Sequence, residues 1–281
     1  MDGSSAFGQR ALGAQPYRSV LAAECAPRSP QRPSLAAIEP EDLLSLFDET
    51  AGAVAGALSE LEDWGPAGTR PGQHRSDILA DGAAVTALLD AGLGVCSEES
   101  GLHRKDRPII VVVDPLDGST NAAQGLGWYA TSLCAVDERG ALAALVRNLV
   151  SGESYTAVRG GGAYRDGSPI RPSAASELSE AVVGLSGCPP RHLGWRQFRA
   201  LGASALDLCA VADGRLDGFV DFAAHCPWDY LGAMLVCREA GARIEDAAGR
   251  DLTTTDPGAL RTVLAAAGET LLTELRAALD R

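Results

Sequence analysis

Residues 109–113 are five β-branched apolar residues in a row, a pattern that predicts a strand buried on both faces and delivers whatever follows it into a loop. Upstream, Leu43, Leu44, Phe47, Ala51, Val54, Ala55 and Leu58 recur at helical spacing from Pro40 to about Leu61, with acids at the start where the helix dipole favours them. Residues 64–76 hold three Gly, two Pro, Arg70 and Arg75 and read as a mobile loop, followed by a helix from about Asp81 to Asp90. Downstream, segments 131–136, 141–150 and 153–158 read as an antiparallel meander with polar turns between them, and 160–167 as a further hairpin. The second half alternates strand and helix as parallel α/β sheets do. Strands are expected at 181–185, 216–221, 242–245 and 262–267. Helices are expected around 195–201, at 204–212, from Pro227 to a stop at Gly241, and at the C-terminus to Asp280.

Residues 1–37 mix Gly, Ser, Pro, Ala and Arg without periodicity and are expected to be a flexible leader. Residues 38–172 then form an N-terminal α+β subdomain and 173–281 a C-terminal α/β subdomain, within a length of 281 residues that can bury a sizeable core. No apolar run reaches the roughly 20 residues that span a bilayer, and the first residues lack the features of a secretory signal, so a cytoplasmic protein without a membrane partner is expected. The seven cysteines contain no Cys-x-x-Cys pair and sit mostly among apolar neighbours, as buried free thiols do. The four histidines lack zinc-ligand spacing, though His225 lies four residues before Asp229. Gly160 to Gly162 follow no strand-to-helix dinucleotide pattern.

The formal net charge of −13 opposes nucleic-acid binding and, equally, phosphate substrates. The turn after the buried strand suggests how that field is inverted. It reads Asp114-Pro115-Leu116-Asp117-Gly118-Ser119-Thr120-Asn121, two carboxylates and two hydroxyls in a corner shaped by Pro115 and Gly118. Oxygen-only ligands crowded in this way suit Mg²⁺, or secondarily Mn²⁺ or Ca²⁺. Two further acidic segments, Glu98-Glu99-Ser100 and Trp228-Asp229 at the start of an amphipathic helix, add to that set.

These three segments, with Glu239-Ala240-Gly241, resemble in order the signatures of the inositol monophosphatase family of metal-dependent, lithium-sensitive phosphomonoesterases. The resemblance spans roughly residues 40 to 270. It implies a layered α-β-α-β-α sandwich, α+β passing into α/β, with the site between two halves and most metal ligands in the first. Glu98, Asp114 and the carbonyl of Leu116 would hold one Mg²⁺, and Asp114, Asp117 and Asp229 a second. A third ion is reached in relatives through a Thr-x-x-Asp element, for which Asp81 is the best match; the Thr is missing, and Asp77 is its rival. Ser119 stands where relatives carry a Thr that orients the attacking water. Ser119, Asp81, Glu98 and Asp117 are therefore the expected catalytic groups.

The amides of Gly118, Ser119 and Thr120 would face the phosphate, unless the two hydroxyls merely cap a helix begun at Asn121. Gly202, Ala203 and Ser204 match a segment lining the substrate pocket. Asp221 lies near the position of a Glu that binds inositol hydroxyls, but one extra residue separates it from Asp229, so polyol contact and a plain strand-end charge both stay open. The implied substrate is a small phosphorylated metabolite, inositol 1-phosphate or a similar sugar phosphate first. Fructose-1,6-bisphosphate, 3′-phosphoadenosine 5′-phosphate and histidinol phosphate are alternatives, and a catalytically silent binding protein is a further one. Relatives are commonly homodimers.

Overall fold

The computed structural model describes residues 38–279; the expected leader at 1–37 lies outside them. The chain begins with helices α1 (Pro40–Ser59) and α2 (Arg75–Asp90), which pack together and cover one face of an eight-stranded sheet. That sheet contains β1 (Gly94–Ser97), β2 (Gly101–His103), β3 (Ile110–Asp117), β4 (Ala130–Asp137), β5 (Gly140–Asn148), β6 (Ser154–Val158), β7 (Gly162–Arg165) and β8 (Ser168–Pro169), in the order β2-β1-β3-β4-β5-β6-β7-β8. Between β3 and β4 runs the short helix α3 (Ser119–Ala123). β1 pairs parallel to β3, while β4 to β7 form the antiparallel meander that alternating apolar positions predict.

The second sheet is built from β9 (Val182–Ser186), β10 (Gln197–Arg199), β11 (Gly218–Asp221), β12 (Arg243–Asp246) and β13 (Val263–Ala266), in the order β10-β9-β11-β13-β12. Its pairing is mixed rather than parallel: β10, β9 and β11 run parallel, but β13 opposes both β11 and β12. Helices α4 (Ser204–Ala212) and α5 (Pro227–Ala240) lie between the two sheets, and α6 (Glu269–Leu279) covers the far side of the second. The result is the α-β-α-β-α sandwich. Its main core joins residues of both sheets, Val112, Cys134, Tyr155, Phe219 and Ala265 among them, around the almost wholly buried α4 and α5.

Two expected elements differ. The helix expected around 195–201 is instead the edge strand β10; Trp195 alone is deeply buried, and the positive-φ glycines Gly194 and Gly202 flank a segment too short for stable helical turns. α2 starts at Arg75, six residues before the expected Asp81, because His74 opens the helix without the usual small polar residue. No helix among the described residues is long and apolar enough to cross a membrane, and the six cysteines described are free.

Candidate active site

β3 carries its apolar face straight into the acidic corner. Asp114 is buried at 2% exposure, and its Oδ1 accepts the Leu116 N–H at 2.9 Å, which folds the chain back at Pro115. Gly118, at φ +85°, takes the left-handed turn that starts α3; a Cβ there would meet the Trp128 and Gly202 carbonyl oxygens at 3.0 and 3.1 Å. Glu98 enters from the end of β1, its N–H donating to the Val113 carbonyl at 3.2 Å, so parallel pairing sets it beside Asp114. Asp229 arrives in the first turn of α5, where its Oδ2 accepts the Cys226 N–H at 2.8 Å. One turn later Gly232 lets α5 press onto β4, since a Cβ would lie 2.7 Å from Ser132 Oγ.

Three segments far apart in sequence therefore converge. Glu98, Asp114 and Asp229 each present a carboxylate oxygen, all within 4.8 Å of one another. Asp117 completes the corner, buried at 8% exposure, with Oδ2 accepting the Ala205 N–H at 2.8 Å. Burial raises all four acids, and neighbouring carboxylates add to it. Glu98 goes up to about 7, through burial first and then the charges of Asp229 and Glu99. Burial carries Asp229 up to about 6 against the opposing pull of His225 and the Cys226 N–H. Asp114 and Asp117 are raised well above the usual range, again by burial before their neighbours' charges. Like charges held this close are costly until a cation lies among them.

Beside the corner opens a cavity of about 350 Å³ lined by Arg70, Gln73, Asp77, Glu98, Ser119 and Trp228, among others. The two aspartates weighed for the third ion lie in different surroundings. Asp77, buried at 4% exposure, lines this cavity and interacts with the Ser119 hydroxyl. Asp81, one turn further along α2, accepts Ser97 Oγ at 2.5 Å and Ser100 Oγ at 3.1 Å and does not line it. Burial raises the Asp77 pKa, partly offset by the His74 N–H, the His74 charge and the Ser76 and Ser119 hydroxyls. Ser119 opens α3 with Gly118 as its N-cap, so the helix begins two residues before Asn121. Arg70 and Gln73 both bind the Glu99 carboxylate, anchoring the 64–76 loop to the rim.

Asp117 also borders a second cavity, about 220 Å³, lined by Gly202, Ala203 and Ser204 together with Ser186, Asp207 and His225. Asp221 is not part of its lining. It is buried, its Oδ1 accepts the N–H groups of Ala223 and Ala224 at 2.8 and 3.2 Å, and its Oδ2 lies 2.8 Å from His225 Nδ1 without the alignment of a hydrogen bond. Asp221 is thus turned into its own loop, while His225 lines the cavity. His225 Nε2 lies 3.1 Å from Ser204 Oγ and 3.3 Å from Ser186 Oγ. Burial would lower the His225 pKa, but the Asp221, Asp229 and Asp117 carboxylates outweigh it and raise it.

Sequence reasoning missed Asp207 altogether; a single acid inside the apolar run of α4 was the available signal. Its Oδ1 accepts Trp128 Nε1 at 2.8 Å, and burial pushes its pKa up to about 7. A further cavity, about 710 Å³ between Leu178, Leu193 and Glu274, holds none of the expected site residues.

The sequence profile of the Inositol monophosphatase family matches residues 91–280. A fructose-1,6-bisphosphatase/inositol-1-monophosphatase of Archaeoglobus fulgidus is 30% identical over 228 residues, covering 76% of this chain and 88% of that protein. An inositol-1-monophosphatase of Mesorhizobium japonicum is 33% identical over 201 residues, 64% of this chain and 74% of its own length. Among solved structures, a Pyrococcus horikoshii protein described as similar to inositol-1 monophosphatase superposes with a TM-score of 0.79 at 24% identity, covering 86% of this chain and all of that one. Sandwich and acid cluster together define a metal-dependent phosphomonoesterase. The chain belongs to the inositol monophosphatase family and is a phosphoric monoester hydrolase.

Proposed function

We propose that this protein hydrolyses a small phosphate monoester, inositol 1-phosphate or a similar polyol phosphate first, using Mg²⁺ and direct attack by water. The convergence of Glu98, Asp114 and Asp229 carries this reading. The donor set fits the ion: every side chain is a carboxylate, and burial penalises its charge in the absence of a cation. Glu98, Asp114 and the Leu116 carbonyl would hold one ion and Asp114, Asp117 and Asp229 another, with Mn²⁺ as a substitute and Asp77 as candidate for a third. When bound, these ions act as Lewis acids that draw charge off the phosphoryl and departing oxygens and acidify water.

The chain's own groups do the rest. Asp77 accepts the Ser119 hydroxyl proton, which leaves the Ser119 oxygen free to accept from the incoming water and aim it along the line of attack. Gly118, Ser119 and Thr120 turn backbone N–H groups toward the phosphate, the nest arrangement that suits anions. Asp117 is fixed by the Ala205 amide, which ties the acidic corner to the start of α4. No side chain needs to become phosphorylated.

A homodimer, lithium inhibition and a cytoplasmic location belong to the same proposal, as do the boundaries at 38–172 and 173–281. Release of inorganic phosphate from a panel of monoesters, with Mg²⁺ and with chelator, tests it. Mg²⁺-dependent turnover is expected; no turnover of any ester, with ligand binding retained in Asp114→Asn, would favour a silent binding protein instead.

A further inference from the structure

The cavity beyond Asp117 differs in chemistry from the acidic corner. Beside the shared Asp117, its polar groups are the hydroxyls of Ser186 and Ser204, the His225 imidazole and the Asp207 carboxyl, and no Lys or Arg among the described residues lines it. The adjacent Arg199 is occupied elsewhere, donating to the Phe198 carbonyl at 2.8 Å and to Gln197 Oε1 at 3.0 Å. Asp207 is 1% exposed, yet only its Oδ1 is used, by Trp128 Nε1 at 2.8 Å; the other oxygen accepts nothing from the described residues. That oxygen is not sealed in: it keeps an opening onto the cavity, where a ligand donor can reach it. His225, by contrast, is held in place by Asp221 behind it and two serine hydroxyls beside it.

We propose that Asp207 is the specificity-determining residue of this enzyme, accepting a hydrogen bond from an O–H or N–H of the leaving alcohol, and that His225 and the two serines complete a site for an alcohol bearing no second phosphate. The inference rests on the phosphatase reading, because the cavity shares Asp117 with the acidic corner and is therefore where the alcohol half of a bound ester lies. A second phosphate would face a carboxyl with no cation to meet it. A site built around an acceptor also discriminates against esters that bring no donor.

Steady-state kinetics with Mg²⁺ on four esters test the assignment: inositol 1-phosphate, histidinol phosphate, phenyl phosphate and fructose 1,6-bisphosphate. The wild-type protein is expected to prefer one of the first two, which carry hydroxyl or ammonium donors. Asp207→Asn keeps an acceptor for Trp128 and is expected to raise KM for the preferred ester by about tenfold, with kcat and phenyl phosphate turnover changed by less than about twofold. An equal loss on preferred ester and phenyl phosphate in a folded variant, or wild-type preference for the bisphosphate, overturns the inference while leaving the phosphatase reading standing. If Asp207→Asn does not fold, His225→Gln carries the same comparison, with the same selective rise in KM expected and the same equal loss contradicting it. Absence of turnover on all four esters by the wild type overturns the phosphatase reading and this assignment together.

Discussion

Asp246 and Asp114 are equally hidden, at 1% and 2% exposure, and both lie in strands, yet the protein treats them in opposite ways. Asp246 receives Arg250 through two hydrogen bonds of 2.7 and 2.8 Å and the Thr262 N–H at 2.9 Å. The Arg250 hydrogen bond, before all else, holds its carboxyl well below the usual range. Asp114 meets Glu98, Asp117 and Asp229 instead, and its pKa moves up. Arg70, which lines the adjoining cavity, is paired with Glu99. Where a buried acid is structural, the chain supplies the cation; at the Asp114 corner it does not, and the balance must come from outside.

Breaking the corner should have the largest effect. Asp114→Asn is expected to lower Mg²⁺-dependent kcat by at least about 1000-fold, since it removes the carboxylate that would serve both ions in the proposed function. The same change should raise the melting temperature of the metal-free protein, because one of four repelling charges is gone. Both readings come from one purified variant, by phosphate release and by thermal unfolding.

Next in size is the contrast between two aspartates of one helix. Asp77→Asn should reduce kcat by about 10- to 100-fold through loss of the carboxylate charge behind Ser119, although the amide can still accept its hydroxyl. Asp81→Asn should change it by less than about twofold, because its serine partners lie outside the cavity and an amide can still accept from them. Equal losses in the two variants would contradict the placement of Asp77.

That pair also marks the limit of what the sequence discloses. The central turn is legible because five β-branched residues, a Pro and a positive-φ Gly permit few backbone paths, whereas β1, which brings in Glu98, shows only through its pairing with β3. α2 is harder to read. In its first turn Ile78 and Leu79 are exposed while Ser76 and Asp77 are buried, so the apolar periodicity that marks helices is inverted where the functional acid sits. The alcohol side is illegible for a related reason. Asp221, His225 and Asp207 each resemble ordinary strand-end, loop and helix polar residues, and only the packed structure decides which one turns toward the cavity. β10 was hidden because an exposed three-residue edge carries no period at all.

Asp246→Asn sharpens the comparison from the structural side. It should lower the melting temperature by about 3 °C near neutral pH while leaving activity per folded molecule unchanged. Because the folded-state pKa of Asp246 is depressed, this contribution is present above the unfolded carboxylate range and fades as pH falls. A difference that persists undiminished in strong acid would contradict the ion-pair account.

The corner has the reverse sign. Glu98 at about 7 and Asp229 at about 6 bind protons more tightly folded than unfolded, so metal-free stability should fall as pH rises from about 4.5 through 7. Mg²⁺ should therefore raise the melting temperature more at pH 8 than at pH 5.5, and equal shifts at both would argue against binding to these carboxylates.

Direct titration of the full chain with Mn²⁺, followed by the loss of free-ion signal in electron paramagnetic resonance at pH 7.5, tests the convergence of the three acidic segments most closely. Saturable binding is expected in the wild type and in Asp81→Asn, with affinity lowered by at least about tenfold in folded Asp114→Asn and Asp229→Asn. Undiminished binding in those two variants, or none in the wild type, would contradict the account.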